Sequence, residues 1–154
     1  FYAADGMFDV SVIAQIGADN LRGKLSITQA ASDSDDASYQ AFASAYTAAG
    51  GDPAAPYAAH GYDVAFLMAL AIEKAGSADR SKISAALRAV AGPTGEVVRP
   101  GEWAKAKALI AAGKDVNYEG AAGPNDFDAN GDVTGLFSLN VVGADGKWSR
   151  EMIK

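Results

Sequence analysis

The amino-acid sequence predicts an α/β fold with a mainly parallel β-sheet and a β-hairpin at its carboxyl end. Strand and helix patterns alternate over the first thirty residues, helical patterns dominate the middle, and two strand patterns around a tight turn end the chain. Alternation of strands and helices is typical of parallel sheets, whose strands need long crossover connections. The middle has too few strand patterns for a doubly wound sheet, so we expect part of the fold to lie outside these residues.

The composition is typical of a globular protein and excludes several functional classes. Of the 154 residues, 49% are hydrophobic and 21% are charged, and the net charge is −6. Nucleic acid is therefore not an expected partner, because a phosphate backbone needs a basic surface. The absence of cysteine excludes a disulfide framework, a thiolate zinc site and a cysteine nucleophile. No apolar run approaches the roughly 20 residues that a membrane-spanning helix needs.

The first elements predicted are a strand, a short helix and a second strand. Residues 1–4 (FYAA) are apolar and indicate a buried strand that ends in an Asp5-Gly6 turn. Asp9 is suited to cap a helix over 10–16, and Gly17 to end it. Residues 24–30 alternate apolar and polar side chains, as a strand does. Because the chain begins without an initiator Met or a signal peptide, we interpret it as a processed chain or a piece of a larger one.

Helices are predicted over 38–49, 62–75, 80–90 and 102–112. Gly50, Gly76 and Gly113 follow three of them, and Asp79 is suited to cap the helix over 80–90. The helix over 62–75 has charges only near its two ends, which predicts burial on most of its sides. Residues 92–101 are interpreted as a loop.

The end of the chain has the pattern of a turn-rich segment and a hairpin. Strands are predicted over 136–142 and 147–152, joined by a tight turn at 143–146. Residues 126–132 (DFDANGD) imitate the start of a calcium-binding loop, but the twelfth position is Phe137 rather than glutamate. A turn stabilised by Asp and Asn side chains is the favoured interpretation.

No catalytic or metal-binding constellation is evident in the sequence. His60 is the only histidine, and no serine lies in the context of an activated nucleophile. Local packing is the default expectation for His60, with a role in a cleft as the alternative. Core packing is the default for Tyr57 and Tyr62, although both could instead reach an interface between two lobes. We therefore expect no enzyme activity, no metal and no cofactor. A hydrolase with Asp5 or Asp9 as general base is the least favoured alternative.

A series of short segments, in a fixed order along the whole chain, resembles one protein family. The segments are Asp5-Gly6-Met7, Leu21-Arg22-Gly23, Tyr57 to Asp63, Ala71 to Gly76, Asn117 to Gly120, Phe127-Asp128 with Gly131-Asp132, and Asp145 to Trp148. Together they resemble the carboxyl-terminal part of a type I periplasmic binding protein, in the group that binds branched-chain amino acids.

The resemblance implies a fold and a division of the chain. In this family two α/β lobes are joined by three crossover strands and enclose a ligand. By analogy, residues 1–32 belong to the carboxyl-terminal lobe, residues 33–115 form a mainly helical segment of the amino-terminal lobe, and residues 116–154 cross back and end in the hairpin. The amino-terminal portion of such a protein would be a missing partner of this chain.

The candidate ligand-binding residues are Asp5, Gly6 and Met7. Asp5 follows a strand, and open α/β sheets bind ligands at the carboxyl ends of their strands. In the family, a carboxylate before a glycine at this point pairs with the ligand's α-ammonium group. Gly6 would allow a close backbone approach and Met7 could line the cleft. Alternatively, Asp5 caps the turn and Met7 packs in the core.

The resemblance implies a function in solute uptake. The chain would belong to a periplasmic or otherwise extracytoplasmic protein, made with a signal peptide. That protein captures a small amino acid and delivers it to the membrane permease of an ABC importer. The alternative is a ligand-sensing receptor domain of the same fold.

Overall fold

The structure is a computed structural model that describes residues 1–153. In chain order its elements are β1 (Tyr2–Ala4), a 3-10 turn (Asp5–Met7), α1 (Val10–Ile16), α2 (Ala18–Leu21), β2 (Ser26–Ala31), α3 (Ala37–Ala48), α4 (Ala58–Ala75), α5 (Arg80–Ala89), β3 (Glu96–Val98), α6 (Trp103–Ala111), β4 (Val116–Gly120), β5 (Gly123–Pro124), β6 (Leu136–Val142) and β7 (Trp148–Ile153). The predicted α/β class is confirmed, and both of its sheets combine parallel and antiparallel pairs.

The chain divides into two compact units. The first unit comprises Phe1–Ala31 and Leu136–Lys154, and the second comprises Ser32–Gly135. The chain therefore leaves the first unit once and returns to it once. The predicted division at residues 32 and 115 refers to the lobes of a larger fold and stays a prediction.

The first unit is a four-stranded sheet in the order β1-β2-β6-β7, with α1 and α2. β1 is parallel to β2, and β6 is antiparallel to both β2 and β7. Its core is centred on the fully buried Ile27, with Leu21, Leu25 and Val142 packed around it. The predicted cap of α1 is confirmed, because Asp9 Oδ1 accepts a hydrogen bond of 2.7 Å from the backbone N–H of Ser11. The predicted terminal hairpin is also confirmed.

The prediction that the first strand is buried is wrong. Residues 2–4 do form β1, but Phe1 is 93% exposed and Tyr2 is 88% exposed. Within the described residues β1 pairs only with β2, so it is an edge strand and its far side is uncovered. The apolar sequence predicted the strand correctly but not its position in the sheet.

The second unit contains α3 to α6 and the three-stranded sheet β3-β4-β5. β3 is parallel to β4, and β4 is antiparallel to β5. The main core cluster of this unit includes the fully buried Leu70, Val90, Val98 and Tyr118.

The interpretation of residues 92–101 as a loop is wrong in part, because this segment contains β3. β3 has only three residues, and Gly95 and Pro100 flank it closely, which gave the segment the composition of a loop. Gly95 allows β3 to lie close to β4, since a Cβ atom there would come within 2.3 Å of the Val116 backbone. The short strand is therefore specified by contact with β4 rather than by a local pattern.

The long helix α4 begins earlier than predicted. It runs from Ala58 rather than from residue 62, so His60 lies within the helix and not ahead of it, and Asp63 lies in its second turn rather than at its start. Gly61 lies inside the helix on its exposed side. The predicted end at Gly76 is confirmed, and this glycine adopts the left-handed conformation with φ of 55°.

Candidate functional site

The three candidate ligand-binding residues form the 3-10 turn that follows β1. Asp5, Gly6 and Met7 are all exposed, and Met7 is 42% exposed. Ala4, the last residue of β1, pairs with Thr28 of the parallel strand β2. The turn therefore lies at the carboxyl end of a parallel strand pair, where α/β sheets commonly bind ligands.

The Asp5 carboxylate contributes to the turn. Its Oδ1 accepts a hydrogen bond of 2.8 Å from the backbone N–H of Gly6, and the Asp5 carbonyl accepts one of 2.8 Å from the N–H of Phe8. The turn-capping role that was the alternative prediction for Asp5 is thus present in the structure. Ligand binding by Asp5 stays a prediction.

Packing within the chain does not explain the glycine at position 6. A Cβ atom at Gly6 would meet no atom within 4 Å, and Gly6 is not among the glycines with positive φ. A larger residue would therefore fit at position 6, and the backbone conformation there does not need glycine. A close approach of a ligand to the backbone stays the predicted reason for a glycine here.

An open apolar groove of about 370 Å³ lies beside β1 in the first unit. Phe1, Tyr2, Met7, Ile16 and Leu25 are among its lining residues. Met7 therefore lies at the edge of an apolar surface and not in the core.

Tyr57 is a second candidate contact, identified by its backbone. It has φ of 62° and is the only residue other than glycine with positive φ among residues 1–153. Left-handed backbone is unfavourable for a bulky side chain, and such strain is found preferentially at functional positions. The ring is 42% exposed and packs edge-on against His60, with 5.9 Å between ring centroids. The sequence contains no local signal for this conformation, since no glycine or asparagine stands there.

Tyr62 is partly buried and packs against a core cluster, in line with the default expectation. Its ring lies 5.2 Å from that of Phe42 and 5.8 Å from that of Phe66, measured between centroids. Its hydroxyl accepts a hydrogen bond of 3.0 Å from the backbone N–H of Gly101.

Asp63 is a buried carboxylate that fixes the turn between β4 and β5. The side chain accepts hydrogen bonds from the Tyr118 hydroxyl at 2.7 Å, from the N–H of Ala121 at 2.8 Å and from the N–H of Ala122 at 2.7 Å. Burial raises the pKa of Asp63, and these hydrogen bonds oppose the rise. The sequence did not predict this role, because Asp63 lies at the start of the predicted helix, where a charged residue is usually exposed.

The pKa values of Tyr118 and His60 are both shifted by burial and by the nearby Asp63. Burial raises the pKa of Tyr118 strongly, and the nearby Asp63 charge adds to this rise. Burial lowers the pKa of His60, while Asp63 favours the charged imidazole. The His60 ring also packs against the ring of Tyr57, a local contact of the kind that the sequence analysis expected by default.

The loop that imitates a calcium site is a turn held by one aspartate. Asp128 Oδ1 accepts hydrogen bonds of 2.8–2.9 Å from the N–H groups of Asn130, Gly131 and Asp132. The Arg88 guanidinium donates to the carbonyl oxygens of Asp128 and Ala129. Across residues 1–153, no group of three or more His, Asp or Glu side chains could hold a metal ion.

A comparison with models of known protein families assigns the chain to a family. The family model described as "Receptor family ligand binding region" matches residues 1–142, which is most of the chain. The chain belongs to this receptor ligand-binding family. The resemblance to type I periplasmic binding proteins is thereby confirmed.

A solved structure supports the family and its fold. The leucine-binding protein LivK from Thermotoga maritima MSB8 superposes on 99% of this chain with a TM-score of 0.62 and 26% sequence identity. The match covers only 36% of the LivK chain.

A curated relative is closer in sequence over part of the chain. BasB of Halobacterium salinarum, a "chemotactic signal transduction system substrate-binding protein", is 35% identical over 103 residues. This alignment covers 66% of the chain and 25% of BasB. The chain thus spans about a quarter to a third of the length of these relatives, and both of them are binding proteins. Among residues 1–153, no helix is both long and apolar enough to cross a membrane.

Proposed function

We propose that the chain is the carboxyl-terminal portion of an extracytoplasmic solute-binding protein that captures a small amino acid. The observation that supports this most directly is the likeness to leucine-binding LivK over 99% of the chain. Aliphatic and branched-chain amino acids are the first ligand class to test.

The proposed ligand contact is an ion pair with Asp5. An amino acid carries an α-ammonium group, which needs charge-assisted acceptors when it leaves water. Asp5 is an exposed carboxylate at the carboxyl end of a parallel strand, with the apolar Met7 two residues away. Gly6 adds backbone that a ligand can approach closely. The ligand would be bound and released unchanged, without a cofactor and without enzyme activity.

Delivery to a permease would follow from a change in conformation. A ligand that binds better to a closed form increases the population of that form. We propose that the membrane permease of an ABC importer recognises this form. The protein would act in the periplasm or another extracytoplasmic space, after removal of a signal peptide.

Sensing is the second candidate function, and one comparison favours it. BasB is named as a substrate-binding protein of a chemotactic signal transduction system. Deleting the gene separates the two roles. Loss of uptake of a labelled amino acid supports transport, whereas loss of the chemotactic response with normal uptake supports sensing.

Mass spectrometry of the complete gene product tests the proposed function. We expect a small molecule, with the mass of an amino acid, to be bound under native conditions and released on denaturation. If the purified protein also fails to bind any amino acid added to it, the proposed ligand class is wrong.

A further inference from the structure

The terminal hairpin contacts the two residues that follow the candidate ligand-binding turn. Phe8 and Asp9 join that turn (Asp5–Met7) to α1. The Trp148 indole of β7 donates a hydrogen bond of 3.2 Å from Nε1 to the Asp9 carbonyl oxygen. The rings of Trp148 and Phe8 are in contact, with 5.3 Å between their centroids. The last strand of the sheet therefore holds the backbone and the side chain directly after the turn.

Arg150 of the same strand contacts the same ring. It lies two residues after Trp148, so both side chains are on one face of the sheet. The Arg150 Cζ atom lies 5.7 Å from the centroid of the Phe8 ring. A guanidinium at this distance is attracted to the face of an aromatic ring. Phe8 is thus held by a cation and by an aromatic ring, both from β7.

Buried amide groups of two neighbouring strands fix the Arg150 side chain. Its Nε donates to Asn140 Oδ1 in β6 at 3.3 Å, and its Nη2 donates to Gln29 Oε1 in β2 at 3.4 Å. Asn140 is fully buried and Gln29 is 5% exposed. The Asn140 amide also donates to Ser138 Oγ at 3.2 Å. Because buried amide oxygens need donors, displacing the guanidinium would leave two acceptors without this partner.

The charge of Arg150 is not used in an ion pair within the described part of the chain. The ion pairs there involve other cationic residues. The contacts of Arg150 are instead with neutral groups, namely two amides and one ring. A planar guanidinium can donate to two acceptors in its plane while its face lies on a ring, which an ammonium group cannot do. Arginine therefore suits a side chain that links the sheet to Phe8.

We propose that Arg150 is a positioning residue for the ligand-binding turn and acts through Phe8. The Phe8 N–H donates a hydrogen bond of 2.8 Å to the Asp5 carbonyl oxygen, and this bond closes the turn. Fixing Phe8 therefore fixes the backbone that carries the Asp5 carboxylate. Arg150 itself does not contact the ligand. The inference rests on the proposed function, since it concerns the same site.

Two measurements on the complete gene product test this proposal, amide hydrogen exchange without ligand and calorimetric titration with L-leucine. Arg150→Met keeps an unbranched side chain and removes the guanidinium. The amide at position 8 should then exchange at least about tenfold faster, because the turn opens more easily. The dissociation constant of leucine should rise roughly three- to tenfold, in line with the strength of a cation–π contact. Phe8→Leu should have effects of similar size.

A double variant and a matched control separate positioning from a general loss of stability. In Arg150→Met/Phe8→Leu the dissociation constant should be no higher than in the weaker-binding single variant, because both substitutions remove the same contact. Arg22→Met is the control. The Arg22 guanidinium also links the hairpin to the rest of the unit, but it donates to the carbonyl oxygens of Gly143 and Ala144 at the hairpin turn. Its loss should leave leucine binding unchanged.

Three results would overturn the proposal. They are a wild-type dissociation constant in both single variants, effects that multiply in the double variant, and equal weakening by Arg22→Met. If Arg150→Met does not fold, unchanged exchange at position 8 and unchanged binding in Phe8→Leu overturn the proposal on their own. Faster exchange in Arg150→Met, without leucine binding by the wild-type protein, would refute the proposed function alone. Leucine binding that neither single substitution weakens would refute this inference alone.

Discussion

Asp63 shows how one buried side chain can determine the path of a distant segment. Its carboxylate binds two consecutive backbone N–H groups, of Ala121 and Ala122, and the Tyr118 hydroxyl. The turn after β4 therefore has its donors satisfied by a helix more than fifty residues earlier in the sequence. Buried donors without acceptors are costly, so the turn depends on this residue.

We predict that Asp63→Ala lowers the free energy of unfolding by roughly 2–4 kcal/mol, because three donors in and beside the core lose their acceptor. Urea titration followed by circular dichroism measures this change. Asp19→Ala is the control, since the Asp19 side chain is 91% exposed and pairs with Arg22 at the surface. Equal effects of the two substitutions would show that Asp63 does not anchor the turn.

The raised pKa of Asp63 predicts a pH dependence with a definite sign. The folded protein holds a proton on Asp63 at pH values where the unfolded chain, with a pKa of 3.8, has lost it. The contribution of this group is thus fully present below the unfolded pKa and is lost as the pH rises through the folded pKa. Relative to Asp63→Asn, the wild-type protein should become less stable as the pH rises above about 4. If the wild-type protein instead became more stable than Asp63→Asn as the pH rises, the raised pKa of Asp63 would be contradicted.

Substitutions at Tyr57 test whether its left-handed backbone conformation is strained. Tyr57→Ala and Tyr57→Gly both remove the ring, and they differ only in the Cβ atom. We predict that the glycine variant is more stable by about 1 kcal/mol, because φ of 62° costs an L-residue roughly that much. At an ordinary helical position such as Tyr46 of α3, the order should be reversed. Thermal unfolding of the four variants measures both differences, and the same order at both positions would contradict strain at Tyr57.

At the scale of elements, two glycines near Asp63 have opposite predicted effects. A Cβ atom added to Gly61, inside α4, would meet no neighbouring atom within 4 Å, whereas one added to Gly120 would come within 2.5 Å of the Asp63 carboxylate. Gly61→Ala should stabilise the protein by up to about 1 kcal/mol, because alanine favours the helix. Gly120→Ala should destabilise it by about 1–3 kcal/mol through the forced displacement. Effects of the same sign in a thermal melt would contradict this packing around Asp63.

Local signals in the sequence predicted the elements that depend on local interactions. The caps Asp9 and Asp79 were correct, because a cap involves only the next few residues, and so were the glycine that ends α4 and the terminal hairpin. β3 and the start of α4 were missed, because they depend on contact with β4 and on the backbone of Tyr57. The role of Asp63 also depends on contacts distant in sequence.

At the scale of the whole molecule, each unit has its own hydrophobic core and its own uncovered apolar surface. In the first unit this surface is the edge strand β1 with its groove. In the second unit it is the side of α4 that exposes Val64, Met68 and Ile72. The position of Asp5 after β1 was expected from the sequence, but the exposure of β1 was not. Which residues contact a ligand depends on the complete protein and stays a prediction.

The most direct test of the central claim is calorimetric titration of the complete gene product with L-leucine. Asp5→Asn should weaken binding by roughly 2–5 kcal/mol, because the ammonium group would lose its charged partner. Asp19→Asn, at an exposed position of the same unit, should leave the dissociation constant unchanged. An unchanged dissociation constant in Asp5→Asn would contradict the assignment of Asp5, and no binding of any aliphatic amino acid would contradict the proposed ligand class.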